Sequence, residues 1–555
     1  RGKRTGTDYL RLGLNLSDDM RGDSAFNIGA SYRVNGINEL GAEWLTRLQL
    51  GDRKELYSEF YQPLDAGSRY FVAPYLFGEA QNVEAILDNE TPGHLSWLLH
   101  GQERSHGGQR AGKMESGDMP VGFAIDAQWQ ACEHGLAEDR ATAAKLRIAF
   151  DEMVATRVES DWSREVQDRV HVSAYPLAMW LAANWWRLRW EPYPATGALS
   201  TSWRMAHEVA AAGHGFLWPR LVFASDGPTV EAVCHASRPN SGEPVRYLSE
   251  FRCAVPATSF EAAVDDFVAD VIARLETCGG VGQDLSRLWE EVKAEREDPT
   301  ESVRRRLEAR LGYDPDEAPE EILARLLKLS NETGEAALDE IVPALSGTAT
   351  GIEDAISKTV GAAHGRGIRV AVDLPSALRR HRFPDGTPPW DLGRSLAGAA
   401  RDTWRLSGSG ISDEDLAKLL DVPKRALLPD TAHGPGIPFG LAVREDDGAH
   451  LKMVFRAKNA PGIRFEAARF LADHMTAPDS DAWLPATSTK TARQKMQRAF
   501  AAELLCPIDA LKSFMNGDFS DERMEEAAEY FGVSVLTAKS HLANHDIIPP
   551  EMVRV

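Results

Sequence analysis

The feature that most constrains the fold of this 555-residue chain is its hydrophobic period. The period is two residues over about the first 80 residues and changes beyond them. An alternation of apolar and polar residues marks five runs, at 10–16, 26–34, 42–50, 55–62 and 69–78. Because successive side chains of a β-strand point to opposite faces, this alternation predicts five strands of roughly ten residues each. We therefore expect residues 1–83 to form a β-meander segment.

Aromatic residues at the ends of these runs leave two interpretations open, the wall of a transmembrane β-barrel and a soluble antiparallel sheet. Residues 11–77, with LGLNLSDDMRGDSAFNIGASYRVNGINELGAEW and EFYQPLDAGSRYFVAPYLF, resemble the surface-antigen barrel region of bacterial patatin-like phospholipases. The resemblance implies an outer-membrane location for residues 1–83 alone, and one alternative function is that of an outer-membrane phospholipase fragment. Five strands cannot close a membrane barrel by themselves. The chain has no G-x-S-x-G serine motif, so lipase chemistry is not implied.

Residues 84–113 are polar and contain Gly and His, which predicts a linker. Two interpretations of the first 113 residues stay open: a working module of this protein, or a segment fused to a separate protein that begins at Met114. Beyond the linker we expect three regions. These are a Trp-rich α/β domain (114–275), a helical connecting region (276–345) and a C-terminal domain (346–555).

Composition narrows the classes of partner and compartment. The net charge of −21 argues against a general nucleic-acid-binding surface, because each phosphate contact needs a Lys or Arg. The chain lacks a run of about 18 apolar residues, the length that predicts a transmembrane helix. Its five cysteines form no C-x-x-C pair, so neither a disulfide scaffold nor a thiolate zinc site is indicated. We expect a cytoplasmic location for most of the chain, with membrane contact only through residues 1–83.

Eight of the fourteen tryptophans lie in residues 114–275, half of them within 174–192. Trp180, Trp185 and Trp186 cannot share one face of a helix, which predicts a helix buried on several sides. An aromatic wall that binds a ligand is the alternative, with Trp185 and Trp186 as the binding residues.

The C-terminal part combines a hairpin, two helices and a closing helical pair. The hairpin is predicted from FGLAVRE (439–445) and LKMVFRA (451–457), and the helices carry GIRFEAARFLADHM (462–475) and QRAFAAELLCP (497–507). This order and these motifs resemble the ImmA/IrrE family of metallopeptidases over residues 391–548. In that family an H-E-x-x-H helix supplies two zinc-binding His and a general-base Glu, and the later helix supplies an acidic third ligand.

The family's zinc motif is degenerate in this chain. Its first His falls on Arg469, its general base on Phe470 and its second His on Asp473, while the acidic third position is kept as Glu503. A guanidinium repels a divalent cation and Phe470 cannot accept a proton, so the resemblance implies a pseudopeptidase without a cofactor. We expect Arg469 to form a buried ion pair with Asp473 or with Glu503.

The enzymatic alternative is an active metallopeptidase that cleaves a repressor with altered zinc ligands. Asp473, His474 and Glu503 are the candidate ligands, although Asp473 and His474 point about 100° apart on a helix.

The last segment, 524–548, has the spacing of a helix-turn-helix. Its second helix offers a single lysine, Lys539, and its first helix is acidic, so we do not expect DNA binding. A structural or partner-docking role is favoured instead.

Together these observations predict an α+β fold, a mainly α-helical multidomain protein with a degenerate zincin-like C-terminal domain. The predicted function is regulatory, through binding of a partner protein such as a repressor or a toxin-type protein. The family resemblance implies a setting in stress response or phage defence.

Overall fold

The computed structural model describes the backbone of six strands between residues 9 and 81 and most of residues 122–553. Within the second range the gaps are 134, 161–164, 195–198, 238–244, 346–350, 373, 376, 377, 379–386, 407, 430–435 and 446–449. The predicted linker, 84–113, lies outside the described residues. The chain divides into two compact units, Arg1–Gly108 and Gln109–Val555.

The first unit contains a six-stranded antiparallel sheet. Its strands are β1 Tyr9–Asp18, β2 Ser24–Val34, β3 Glu43–Gly51, β4 Arg53–Pro63, β5 Phe71–Val72 and β6 Tyr75–Gln81. The order is β1-β2-β3-β4-β5, and β6 also pairs with β4. The first four predicted strands are present, whereas the run at 69–78 is divided between β5 and β6. Pro74 lies in this run, and a proline cannot donate a backbone hydrogen bond to a sheet.

The second unit opens with short strands and helices around one apolar core. The strands are β7 Phe123–Trp129, β8 Ala143–Phe150, β9 Met153–Val154, β10 Val158–Ser160, β11 Val166–Gln167, β12 Val170–Ser173, β13 Arg220–Ser225, β14 Thr229–His235, β15 Val245–Tyr247 and β16 Phe251–Pro256. The helices are α1 Ala137–Ala141, α2 Tyr175–Ala183, α3 Trp185–Trp190, α4 Thr201–His207 and α5 Ala257–Thr277. The strands form three antiparallel sheets, β12-β8-β7 with β9 on β8, β11-β10-β15 and β13-β14-β16.

Tryptophans of α2 and α3 lie inside this core, as predicted, but the single helix that the sequence predicts for them is divided at Asn184. Trp180, Trp185 and Trp186 are all buried. Helix α5 covers the same core with apolar side chains spaced three and four residues apart, among them Phe260, which stacks on Phe123 with ring centroids 5.6 Å apart. The core continues past residue 275 as far as Ala309.

Five helices connect this region to the C-terminal one. They are α6 Gln283–Glu297, α7 Pro299–Leu311, α8 Glu320–Thr333, α9 Glu335–Leu345 and α10 Ile352–Arg366. The start of α7 follows from the sequence, because the side chain of Asp298 accepts hydrogen bonds from the backbone N–H groups of Thr300 and Glu301. A second apolar core joins these helices to the sheet described next.

The C-terminal region packs helices on a four-stranded antiparallel sheet, in the order β17-β19-β18-β20. Its strands are β17 Ile368–Ala371, β18 Gly440–Arg444, β19 His450–Val454 and β20 Trp483–Ala486. Its helices are α11 Pro389–Thr403, α12 Asp413–Leu419, α13 Ala460–Thr476, α14 Ala492–Leu505, α15 Ile508–Met515, α16 Asp521–Phe531 and α17 Val535–Ala543. The predicted hairpin is confirmed as β18 and β19, and the fold class is α+β. No helix among the described residues is both long enough and apolar enough to cross a membrane.

Helix α14 lies at the centre of the C-terminal region and reaches back to the first core. The Nζ atom of Lys495 lies 2.6 Å from a carboxylate oxygen of Asp226, which follows β13. The backbone N–H of Ala492 donates to the carbonyl of the same aspartate, 2.9 Å away. One residue of the first core thus binds both the backbone and a side chain of α14.

Two glycines of α11 differ in how closely they approach α14, so replacing each of them tests the packing of the two helices. A Cβ added at Gly393 would lie 2.4 Å from the carbonyl oxygen of Met496, whereas at Gly398 nothing lies within 4 Å. We expect Gly393→Ala to lower the free energy of unfolding by about 1–3 kcal/mol through overpacking. Gly398→Ala should instead raise it by about 0.5–1 kcal/mol, since alanine is the better helix former. Urea titration followed by circular dichroism measures both, and equal effects of the two changes would contradict the close packing.

Candidate functional site

Helix α13 carries the residues that the family resemblance assigns to zinc chemistry. The side chain of Asn459 caps its start by accepting from the N–H of Gly462, and Thr491 caps α14 in the same way for Gln494. Arg469, Phe470 and Asp473 are all buried on α13. The positions predicted from the sequence therefore lie in the interior of the C-terminal region.

Arg469 is buried without a carboxylate partner. Its Nε donates to Gln497 at 3.2 Å, and one terminal nitrogen donates to the carbonyl of Thr487 at 2.7 Å and to the amide oxygen of Gln494. Burial, together with the neighbouring charge of Arg498, lowers the pKa of Arg469 to about 9. The predicted ion pair of Arg469 with Asp473 or Glu503 is therefore wrong.

The reason is the rotation of α14 about its own axis. Gln494 and Gln497, three residues apart, share the face that meets Arg469. Glu503 follows Gln494 by nine residues, which places it about 180° round the helix. A guanidinium on α13 therefore meets two amides and leaves Glu503 on the opposite side.

Asp473 already has a partner of its own. Arg493 binds it through two hydrogen bonds, of 2.7 and 2.8 Å, and also contacts Asp481 at 3.0 Å. Both carboxylates are almost fully buried. Arg493 was not predicted from the sequence as their partner. No sequence motif marks that arginine, because its role depends on the approach of α14 to α13.

Phe470 is part of the apolar core. It is fully buried, and its ring lies 5.9 Å from that of Phe455. A phenyl ring cannot accept a proton, so Phe470 cannot act as a general base.

The three candidate ligands of the enzymatic alternative are not brought together. Asp473 is held by Arg493, and the Nδ1 atom of His474 accepts from Arg444 at 3.4 Å. Glu503 contacts His541 on α17 instead. Among the described residues, Asp473, His474 and Glu503 do not form a group with the spacing of metal ligands.

Trp185 and Trp186 meet edge to face, with ring centroids 4.8 Å apart. The indole N–H of Trp186 donates to Glu295 at 2.8 Å, and the guanidinium of Arg296 lies 4.5 Å from the Trp185 ring. A cavity of about 470 Å³ adjoins both rings. Their burial supports the core interpretation, and the ligand-binding alternative stays a prediction.

A different cluster forms where α14 meets α17. The Nε2 atom of His541 lies 3.1 Å from a carboxylate oxygen of Glu503, and the rings of His541 and His545 are 4.9 Å apart. One ligand atom from each of the three residues lies within 4.8 Å of the others. The sequence contains a signal for this cluster, since HLANH (541–545) places two histidines four residues apart. The cluster was nevertheless not among the predicted sites.

Burial and neighbouring charges set the protonation of this cluster. Burial raises the pKa of Glu503, but the hydrogen bond and charge of His541 outweigh it, so the net shift is downward. Burial, together with His541 and Arg394, lowers the pKa of His545 to about 4. At neutral pH the cluster therefore presents a carboxylate and, at His545, a neutral imidazole.

Comparison of the chain with family models, curated proteins and solved structures finds no match. The ImmA/IrrE resemblance therefore depends on the residues and motifs themselves.

Replacement of Arg493 tests the buried pair. We expect Arg493→Met to lower the free energy of unfolding by about 3–5 kcal/mol, because it leaves two buried carboxylates unpaired. The matched control is Arg287→Met, which breaks an exposed pair with Asp284 and should cost less than about 1 kcal/mol. Similar losses in both variants, measured by urea titration, would contradict the assignment.

Proposed function

We propose that this protein is a regulator whose C-terminal region keeps a peptidase-like scaffold without hydrolytic chemistry and acts by binding a partner protein. The observation that carries the proposal is the environment of Arg469. Its guanidinium, bound by Gln494, Gln497 and the Thr487 carbonyl, takes the position that the resemblance gives to a zinc ligand.

The residues around this position do not fit a zinc ion. A guanidinium and two amides are not zinc donors. The two nearby buried carboxylates are already bound, Asp473 on both oxygens by Arg493 and Glu466 by the backbone N–H groups of Arg456 and Ala457. The position of the general base holds a buried phenyl ring. We therefore derive no hydrolytic step at α13.

A groove between α11, α14 and α17 is the surface that we assign to the partner, and we call it the C-terminal groove. It encloses about 670 Å³, and its apolar lining includes Trp390 and Leu536, whose side chains are 39% and 50% exposed. This volume is in the range of pockets that take a large side chain or a small ligand. Exposed apolar groups of this size beside a concave surface favour a binding role.

The charge of the C-terminal groove favours an acidic partner segment. Its described lining residues include the cations Arg394, Lys495 and Arg498 and no carboxylate, although the whole chain has a net charge of −21. Arg498 donates to the carbonyl of Thr489 at 2.9 Å. Burial lowers the pKa of Arg498, which indicates a cation that an incoming carboxylate would stabilise. We therefore propose an acidic segment with one apolar anchor as the occupant.

The contacts of α17 favour a protein over DNA. Thr537, Ser540 and His541 line the C-terminal groove, and His541 contacts Glu503 of α14. Lys539 forms an ion pair with Asp521, 2.7 Å away, in the first helix of the pair. These are the side chains that a recognition helix would need to offer to a duplex. A repressor or a toxin-type protein in stress response or phage defence is the partner class that the resemblance suggests.

A peptide array tests the partner surface. We expect the full chain to bind short acidic peptides that contain one aromatic or leucine anchor, and Arg498→Glu to weaken this binding at least about tenfold through charge repulsion. The control is Lys328→Glu on α8, which reverses an exposed charge outside the groove. Fluorescence anisotropy measures the affinities, and equal binding by wild type and Arg498→Glu would contradict the assignment.

Incubation with candidate repressors, with and without added Zn²⁺, tests the loss of hydrolysis. We expect no cleavage, because α13 lacks both ligands and base. Cleavage that is lost in a folded Asp473→Asn variant would overturn the proposal.

A further inference from the structure

We propose that Glu503, His541 and His545 form a binding site for one divalent transition-metal ion, with Zn²⁺ as the best fit, at the edge of the C-terminal groove. The site differs from the α13 positions and goes beyond the proposed function. Its ligands come from the last turn of α14, the last turn of α17 and the turn that follows α17.

The donor set has the chemistry of a zinc site. Two imidazoles and one carboxylate are the protein ligands of many catalytic zinc centres, in which a fourth position stays open to water or another ligand. Neither a hard cation such as Mg²⁺ nor a thiolate-preferring ion matches two imidazoles as well.

The present separation of the three ligand atoms is close to the separation of ligand atoms around a bound zinc ion. Zn–N bonds of about 2.0–2.1 Å in a tetrahedral site separate neighbouring ligand atoms by about 3.3 Å. The contact between His541 and Glu503 is already 3.1 Å, and the widest separation in the cluster is at most 4.8 Å. Ligand atoms separated by up to 4.8 Å need to approach by about 1.5 Å to reach this spacing.

The surroundings give the ion both support and an entry path. Glu503 also accepts from the backbone N–H of Ile508, with both oxygens 3.4 Å away, so the carboxylate is oriented by the start of α15. His541 and His545 both line the C-terminal groove. An ion can therefore reach the ligands from the groove.

Arg394 opposes metal binding in the present arrangement. One of its terminal nitrogens lies 3.2 and 3.3 Å from the two ring nitrogens of His545. Its other terminal nitrogen is paired with Asp391, one turn earlier on α11. An arriving ion must therefore displace the guanidinium from His545, and Asp391 can retain it. Removal of this cation should strengthen metal binding.

Competition with a fluorescent chelator measures the site in the full, metal-stripped chain, with Zn²⁺ alone as the probe and Co²⁺ as a spectroscopic reporter of the ligand type. We expect one Zn²⁺ per chain. His545→Ala and Glu503→Gln should each weaken binding at least about tenfold, and Arg394→Met should strengthen it. The matched control is His364→Ala, which removes an exposed histidine from α10 and should change nothing.

Circular dichroism of the metal-free variants checks that they fold. If Glu503→Gln does not fold, His545→Ala decides the question, because this partly exposed ring lies in a turn. Unchanged affinity in His545→Ala overturns the proposal. So does binding that is lost in Asp473→Asn and kept in His545→Ala, since the ion would then lie on α13. Peptide binding in Arg498→Glu is read separately, so failure of the metal site and failure of the partner surface are distinguishable.

Discussion

A buried carboxylate needs a partner, and the two hydrogen bonds from Arg493 to Asp473 meet this need at the centre of the C-terminal region. The pair holds α14 at one rotation relative to α13. At that rotation Gln494 and Gln497 meet Arg469, while Glu503 lies on the far side of α14 and meets α17. The same ion pair therefore determines both the polar interior of α13 and the cluster of Glu503 with the two histidines.

The interior of the C-terminal region at α13 is polar and held by hydrogen bonds, without the donor set that a metal ion needs. Arg469 is surrounded by neutral acceptors, and Asp473 by a guanidinium that takes both of its oxygens. Such a network is costly to rearrange, because each group that loses its partner in a buried position pays for desolvation. The proposed partner surface, the C-terminal groove, uses other residues of α14, among them Lys495 and Arg498.

Local sequence patterns predict much of this fold but little of its interior contacts. Alternation predicts β1 to β4 and the hairpin of β18 and β19, and Asp298 predicts the start of α7, because these signals depend only on neighbouring residues. The partners of Arg469 depend on the rotation of a helix that begins 23 residues later, so the sequence predicted a carboxylate where the structure has two amides. Helix spacing does relate His541 to His545, but their meeting with Glu503 depends on how α17 packs against α14.

The contact between Lys495 and Asp226 joins helix α14 of the C-terminal region to a turn of the Trp-rich region. Lys495 lines the C-terminal groove, yet its ammonium group lies 2.6 Å from a carboxylate that belongs to the turn after β13. An acidic ligand in the groove and Asp226 therefore compete for one positive charge. Because linkage is reciprocal, the free energy by which such a ligand would weaken the contact of Lys495 with Asp226 equals the free energy by which that contact would weaken binding of the ligand.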